Sequence, residues 1–201
     1  MRKLDEQYRR NLPHIQPDDG LFAITYRIKG AIPQSVIDYY EEEYEKAIIK
    51  SKVEFQASEL FFEISDLYLD RGESHNYLLR DNISKIVVSS LKYYDGRYYK
   101  LIAYCIMSNH VHLIVDKQGF EDASLSSVFG SIKGYSAKLI NKELGREGHF
   151  WSAEIYDHLV KSDTELEKQI KYVLNNPVKA GLVGDWRKWD YTFVDKEYID
   201  Y

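Results

Sequence analysis

The 201 residues suit one domain with a substantial core. At 44% apolar and 29% charged the composition is that of a globular protein, and no apolar run approaches the roughly 20 residues that a membrane helix needs. The single cysteine, Cys105, excludes a disulfide framework, and a net charge of -5 gives no bulk attraction to nucleic acid. The opening Met1-Arg-Lys-Leu-Asp-Glu6 lacks the apolar core of a secretory signal, so the expected location is the cytoplasm, with no membrane partner.

Charge is unevenly spread. Residues 38–70 are rich in Asp and Glu against Lys46, Lys50 and Lys52, whereas 131–149 carry Lys133, Lys138, Lys142 and Arg146 against Glu143 and Glu147. A locally positive stretch matters more to an anionic partner than the net balance does.

In chain order, residues 1–19 read as a polar lead-in ending at the turn signal Pro17-Asp-Asp-Gly20. Leu21–Ile28 alternates and is β-rich, a first strand closed by Gly30. Pro33 suits a helix start, with Val36, Ile37, Tyr40, Tyr44, Ala47 and Ile48 at helical spacing, and helices are expected over 55–70 and 75–93. His75, at the boundary between them, reads as a solvated turn residue. A turn at Asp95-Gly96 leads into a strand over 97–107, and a tight Ser108-Asn109 turn into a buried strand over 111–115. A helix over 124–144 follows, ended by Gly145, and then a fourth strand over 149–160. Ser162-Asp-Thr-Glu165 has the spacing of a capping box, opening a helix over Ile170, Val173 and Leu174 that Asn175-Asn-Pro177 should stop. The remaining tail shows no readable chemistry, and there are no internal repeats.

This order predicts an α+β fold: a mostly antiparallel, ferredoxin-like sheet with helices on one face. Residues 33–93 would be a helical insertion in the first crossover, and about 162–201 a C-terminal helix and tail of the same single domain.

The chemistry centres on His110-Val-His112. Residues two apart on a strand point the same way, so the two imidazoles share one face while Val111 turns into the core. They could together hold one divalent cation, leaving positions open for water or a phosphate oxygen; the alternative is two half-exposed strand histidines. Asp116 shares their face but lies about 13 Å further along the strand. Tyr135, next to Gly134 and between Lys133 and Lys138, is a candidate nucleophile if cations favour its phenolate; otherwise it packs by helical periodicity.

The setting Tyr104-Cys-Ile-Met-Ser-Asn-His-Val-His-Leu-Ile-Val115 resembles the histidine–hydrophobic–histidine signature of single-tyrosine HUH transposases, in the branch of REP-associated tyrosine transposases. Ser108 stands where that branch usually has proline. The resemblance continues through Ile132-Lys-Gly-Tyr-Ser-Ala-Lys-Leu-Ile-Asn141, Leu144-Gly-Arg-Glu-Gly-His-Phe-Trp151 and Tyr156-Asp-His158. It ends with Tyr172-Val-Leu-Asn-Asn-Pro-Val-Lys-Ala-Gly-Leu-Val183, covering roughly 97–183 and the first strand.

The resemblance implies a metal-dependent single-stranded DNA endonuclease and strand transferase acting beside DNA hairpins. His110 and His112 would ligate Mg²⁺ or Mn²⁺, and Tyr135 would attack the phosphate to leave a 5′-phosphotyrosine link and a free 3′-hydroxyl. Arg97, Lys133, Lys138, Lys142 and Arg146 would contact phosphates, and some relatives act as homodimers. Relatives place a polar ligand about one helical turn after the tyrosine; here that position is Leu139, leaving Asn141 as the nearest amide, with His149, Asp157 and His158 as further candidates. Two other readings stay open: a non-catalytic binder of DNA hairpins, and an unrelated metal hydrolase.

Overall fold

Alternation along Leu21–Ile28 sends Phe22, Ile24, Tyr26 and Ile28 to one side, where all four are buried, and Ala23, Thr25 and Arg27 to the other. That strand anchors a sheet with two dissimilar faces. The computed structural model describes residues 7–9, 13–15, 19–39, 42, 46, 68–70, 75–120 and 123–199. Its labelled elements begin with three strands, β1 (Gln7–Arg9), β2 (Pro13–Ile15) and β3 (Leu21–Ile28). Helix α1 (Asp81–Tyr94), strands β4 (Lys100–Ile106) and β5 (His110–Asp116) and helix α2 (Leu125–Leu144) follow. Strand β6 (Trp151–Val160), helix α3 (Asp163–Lys179) and strand β7 (Thr192–Val194) complete the chain.

Strands β1 and β2 form a small antiparallel pair of their own. The main sheet has the order β6-β3-β5-β4-β7, every neighbouring pair antiparallel. Within it, β3-α1-β4-β5-α2-β6 gives the strand order of a ferredoxin-like βαββαβ unit, as expected, with β5 in the centre. Backbone at 34–39 and 68–70 is also helical; most of the helix expected over 55–70, and most of the 38–70 acidic stretch, lies outside the described residues.

On one face, Val111, Leu113 and Val115 of β5 join the β3 set and pack against Ile83, Val87 and Leu91 of α1 and Val128, Phe129 and Ile132 of α2. On the other, Ile114 with Ile102, Ala103 and Cys105 of β4 packs against Leu166, Ile170, Val173 and Leu174 of α3. The expectation of helices on one face is therefore corrected: α1 and α2 share a face and α3 covers the opposite one. The cause is visible in β4 and β5, which are buried at nearly every position instead of alternating, as strands covered on both faces are.

One further expectation changes, and two segments hold strands that the sequence does not announce. Pro177 does not stop α3, which runs on to Lys179; Ala180 N–H donates to the Asn176 carbonyl at 2.9 Å, so the turn around the proline survives its missing donor. The polar lead-in holds the β1–β2 pair, and the tail, which shows no readable chemistry, holds β7. The latter pairs with β4 through Ala103↔Val194 and Cys105↔Thr192. Three-residue strands of this kind carry too little periodicity to be read from sequence.

Candidate functional site

The β4–β5 hairpin closes tightly: Met107 N–H donates to the His110 carbonyl at 2.9 Å, leaving Ser108 and Asn109 as the two-residue loop. This turn places His110 at the first position of the central strand. His110 and His112 are 0% and 1% exposed, so they are not the half-exposed strand histidines of the simpler reading. Their Nε2 atoms lie 2.8 Å apart, with the rings nearly perpendicular at 85°. Each Nδ1 has its own partner: Asn109 Oδ1 lies 2.7 Å from that of His110, and Thr25 Oγ1 of the adjacent β3 lies 2.7 Å from that of His112.

The helix facing this pair is α3. Its Tyr172 ring stands 5.5 Å from the His112 ring, edge-on at 81°. One turn further on the same helix, Asn176 is 1% exposed; its Nδ2 donates to the Tyr172 carbonyl at 2.8 Å, and its Oδ1 is buried with no hydrogen-bond partner among the described residues. Lys179 places its ammonium 5.6 Å over the Tyr172 ring and 3.2 Å from Asp70. A groove of about 420 Å³ runs past Thr25, His112 and Tyr172 towards Tyr156, His158 and Lys168.

Tyr135 is elsewhere. It is 60% exposed on α2, the helix that covers the opposite face of the sheet, so the structure does not bring it to the histidines. Asn141 is on the same helix, where its Nδ2 donates to the Gly148 carbonyl at 2.7 Å. His149 lies in the loop after α2. Asp157 is in register with Ile24, hence on the α1–α2 face. His158 does share the histidine face, but β3 separates it from β5 and its Nε2 sits 2.6 Å from Glu165 Oε1. Asp116 caps the turn beyond β5, accepting from Gln118 N–H at 2.8 Å.

The five candidate phosphate contacts also fall outside the histidine face. Arg97 stacks over Tyr93, Lys133 donates to the Ala153 carbonyl at 2.8 Å, and Arg146 covers Tyr77 and Phe150; Lys138 and Lys142 are on α2. Cations on the histidine face of the sheet include Arg27, in register with His110, Lys168 beside the groove, and Lys179. Burial lowers the guanidinium pKa of Arg27 from its usual value, and the nearby Glu154 carboxylate opposes that shift. Arginine stays charged regardless. Cys105, in register with His112, is no nucleophile: burial pushes its thiol up to about 12, against the opposing bond from Thr192.

Tyr172 and Asn176 carry a signal that sequence reasoning passed over. The polar residue sought one turn after the tyrosine is absent at Leu139 but present four positions after Tyr172. The donor set also fits a divalent cation. Two imidazole nitrogens converge, and an orphaned amide oxygen is buried on the facing helix, while hard cations accept such oxygens alongside water and phosphate. Among the described residues no cluster of three His, Cys, Asp or Glu side chains offers a competing metal site.

An antiparallel ferredoxin-like sheet with a buried histidine pair at its centre, faced by a tyrosine-bearing helix, has the architecture of the HUH proteins. The chain belongs to the IS200-like transposase family, whose model matches residues 74–176. A Haemophilus influenzae protein assigned as a REP-associated tyrosine transposase is 28% identical over 102 residues, covering 47% of this chain. The chain thus spans 58% of the length of that relative. The fold is that of a REP-associated tyrosine transposase solved bound to a REP hairpin, with a TM-score of 0.52 at 15% identity over 94% of this chain and 82% of the other.

Proposed function

We propose that this chain is a metal-dependent single-stranded DNA endonuclease and strand transferase whose nucleophile is Tyr172. The observation that carries the reading is the 5.5 Å approach of the Tyr172 ring to His112, within one chain. Tyr135 has no such access, and the reading that it attacks the phosphate is withdrawn.

The residues divide the work as follows. His110 and His112 would hold Mg²⁺ or Mn²⁺ through Nε2, with Asn176 Oδ1 as third protein donor. A cation bound there polarises the scissile phosphate and stabilises the oxygen that leaves it. Tyr172 Oη attacks phosphorus, forming the Oη–P bond as the P–O3′ bond breaks; the phenol proton is lost and the departing oxygen becomes a 3′-hydroxyl. The 5′-phosphotyrosine link conserves the energy of the cleaved linkage, so a second 3′-hydroxyl can attack its phosphorus, forming a new P–O3′ bond as the Oη–P bond breaks and Tyr172 is released. Lys179 supplies positive charge beside the phenol. Arg27, in register with His110, would offer its guanidinium to a phosphate oxygen. Folded single-stranded DNA is the substrate we infer, because the structurally similar transposase was solved with a hairpin. The histidines and Tyr172 stand together in one chain, so the site we propose is assembled without a second copy.

The test incubates the protein with labelled single-stranded DNA from both flanks of its own gene and Mg²⁺ or Mn²⁺, then runs a denaturing gel. A covalent adduct is expected, lost with EDTA, His110→Ala and Tyr172→Phe, and retained in Tyr135→Phe. An adduct that survives Tyr172→Phe would overturn the assignment. Hairpin binding with no adduct under any condition would make the protein a binder and not an enzyme.

A further inference from the structure

We infer that Thr25 is a positioning residue whose hydroxyl lets His112 exchange tautomers when the centre takes up a cation. The inference rests on the metal-binding reading above. Four side chains form one chain of short contacts: Thr25 Oγ1 to His112 Nδ1 at 2.7 Å, His112 Nε2 to His110 Nε2 at 2.8 Å, and His110 Nδ1 to Asn109 Oδ1 at 2.7 Å.

The direction of that chain is fixed at one end. An amide oxygen only accepts, so His110 carries its proton on Nδ1 and presents a lone pair at Nε2. Two lone pairs 2.8 Å apart would repel, and a shared extra proton would leave a charge in a pair that is 0% and 1% exposed, which is costly. The neutral solution is that His112 donates from Nε2–H to His110. His112 Nδ1 is then an acceptor, and the Thr25 hydroxyl donates to it.

Cation binding reverses one half of this arrangement. Both Nε2 atoms must offer lone pairs, so the His112 proton has to sit on Nδ1 and donate to Thr25 Oγ1. The proton moves from one ring nitrogen to the other with no change in net charge. His110 needs no change, because Asn109 holds it in the ligating form throughout. A hydroxyl can donate in one state and accept in the other by rotating about its C–O bond; an amide, a carboxylate or a main-chain carbonyl in its place would favour one state. Thr25 is itself only 9% exposed, so water does not readily replace it. The geometry therefore makes the two histidines unequal: His110 is preset and His112 is adjustable.

The experiment uses the full chain labelled with ¹⁵N at histidine, with and without Zn²⁺ as a diamagnetic probe, together with Mn²⁺ titration of wild type, Thr25→Val and Thr25→Ser. In the metal-free protein the expected proton positions are Nδ1 for His110 and Nε2 for His112. Zn²⁺ should move only the His112 proton, to Nδ1. Thr25→Val keeps the shape of the side chain but removes the acceptor that the cation-polarised Nδ1–H needs. It should therefore bind Mn²⁺ about 10- to 100-fold more weakly, with Thr25→Ser restoring most of the affinity. Thermal melts of the three proteins check that each is folded. His112 already protonated on Nδ1 without metal, His110 protonated on Nε2, or wild-type affinity in Thr25→Val would each overturn the inference while leaving metal binding intact. Failure of the wild type to bind Mn²⁺ would overturn both this inference and the metal-centred reading.

Discussion

Tyr26 is 1% exposed between Phe129 and Trp151, its ring edge-on to the indole at 4.8 Å, and its hydroxyl has no hydrogen-bond partner among the described residues. A buried hydroxyl in that position costs free energy without returning a bond. Tyr26→Phe is expected to stabilise the protein by about 1 kcal/mol in urea unfolding. The same burial pushes the phenol far above its usual range, and burial does the same to Tyr99. For a phenol raised in the folded state, the unfolded chain ionises first as pH rises past about 10, so stability is present below that value and lost above it. The stability advantage of Tyr26→Phe should therefore widen above pH 10. An unchanged alkaline profile would show that Tyr26 reaches water. The contrast with His110 and His112 is instructive, since these are as deeply buried but each ring nitrogen has a partner.

At the scale of elements, α3 ties several observations together. Ser162 Oγ accepts from Glu165 N–H at 3.2 Å, half of the capping box that the sequence suggests. The other half is redirected: Glu165 Oε2 accepts from Lys161 N–H at 2.7 Å while Oε1 reaches His158. Partial burial raises the carboxyl pKa of Glu165, but the bonds to His158 and Lys161 and their charges outweigh it and leave the pKa below the ordinary value. A depressed carboxylate stabilises the fold above its unfolded pKa, near 4.3, and that contribution is lost as pH falls through the lower folded value. The stability gap between wild type and Glu165→Gln should therefore shrink as pH is lowered from about 5 to 3. Much of this helix was legible in advance, because Ile170, Val173 and Leu174 repeat at helical spacing behind a serine cap. Its destination was not. Helical periodicity says which stripe is buried but not which side of a sheet receives it, and Tyr135 and Tyr172 are equally tyrosines on amphipathic helices. The choice between them depended on β4 and β5, whose unbroken apolar runs call for cover on both faces. The histidine strand was readable because a period of two needs no long-range information, whereas the Thr25–His112 contact joins residues 87 apart in sequence.

In the whole molecule the two layers differ in substance. The α1–α2 face gathers aromatic side chains such as Tyr26, Tyr99, Phe129, Phe150 and Trp151, while the α3 face is built mainly from aliphatic residues of β4 and α3. The strand order of the ferredoxin-like unit is complete at Val160, before α3 begins. Apart from its apolar stripe, α3 is fastened by Glu165 to His158 near one end and by Lys179 to Asp70 near the other. Native-state hydrogen exchange should accordingly find α3 amides opening at lower free energy than those of β5 and α2. Equal protection in all three would mean that the layers unfold as one. With α3 opening first, the Tyr172 phenol and the imidazoles would belong to separate thermal units. On the proposed function, a fluctuation that lifts α3 would part the nucleophile from the histidine pair, and re-docking would restore the site without refolding the sheet.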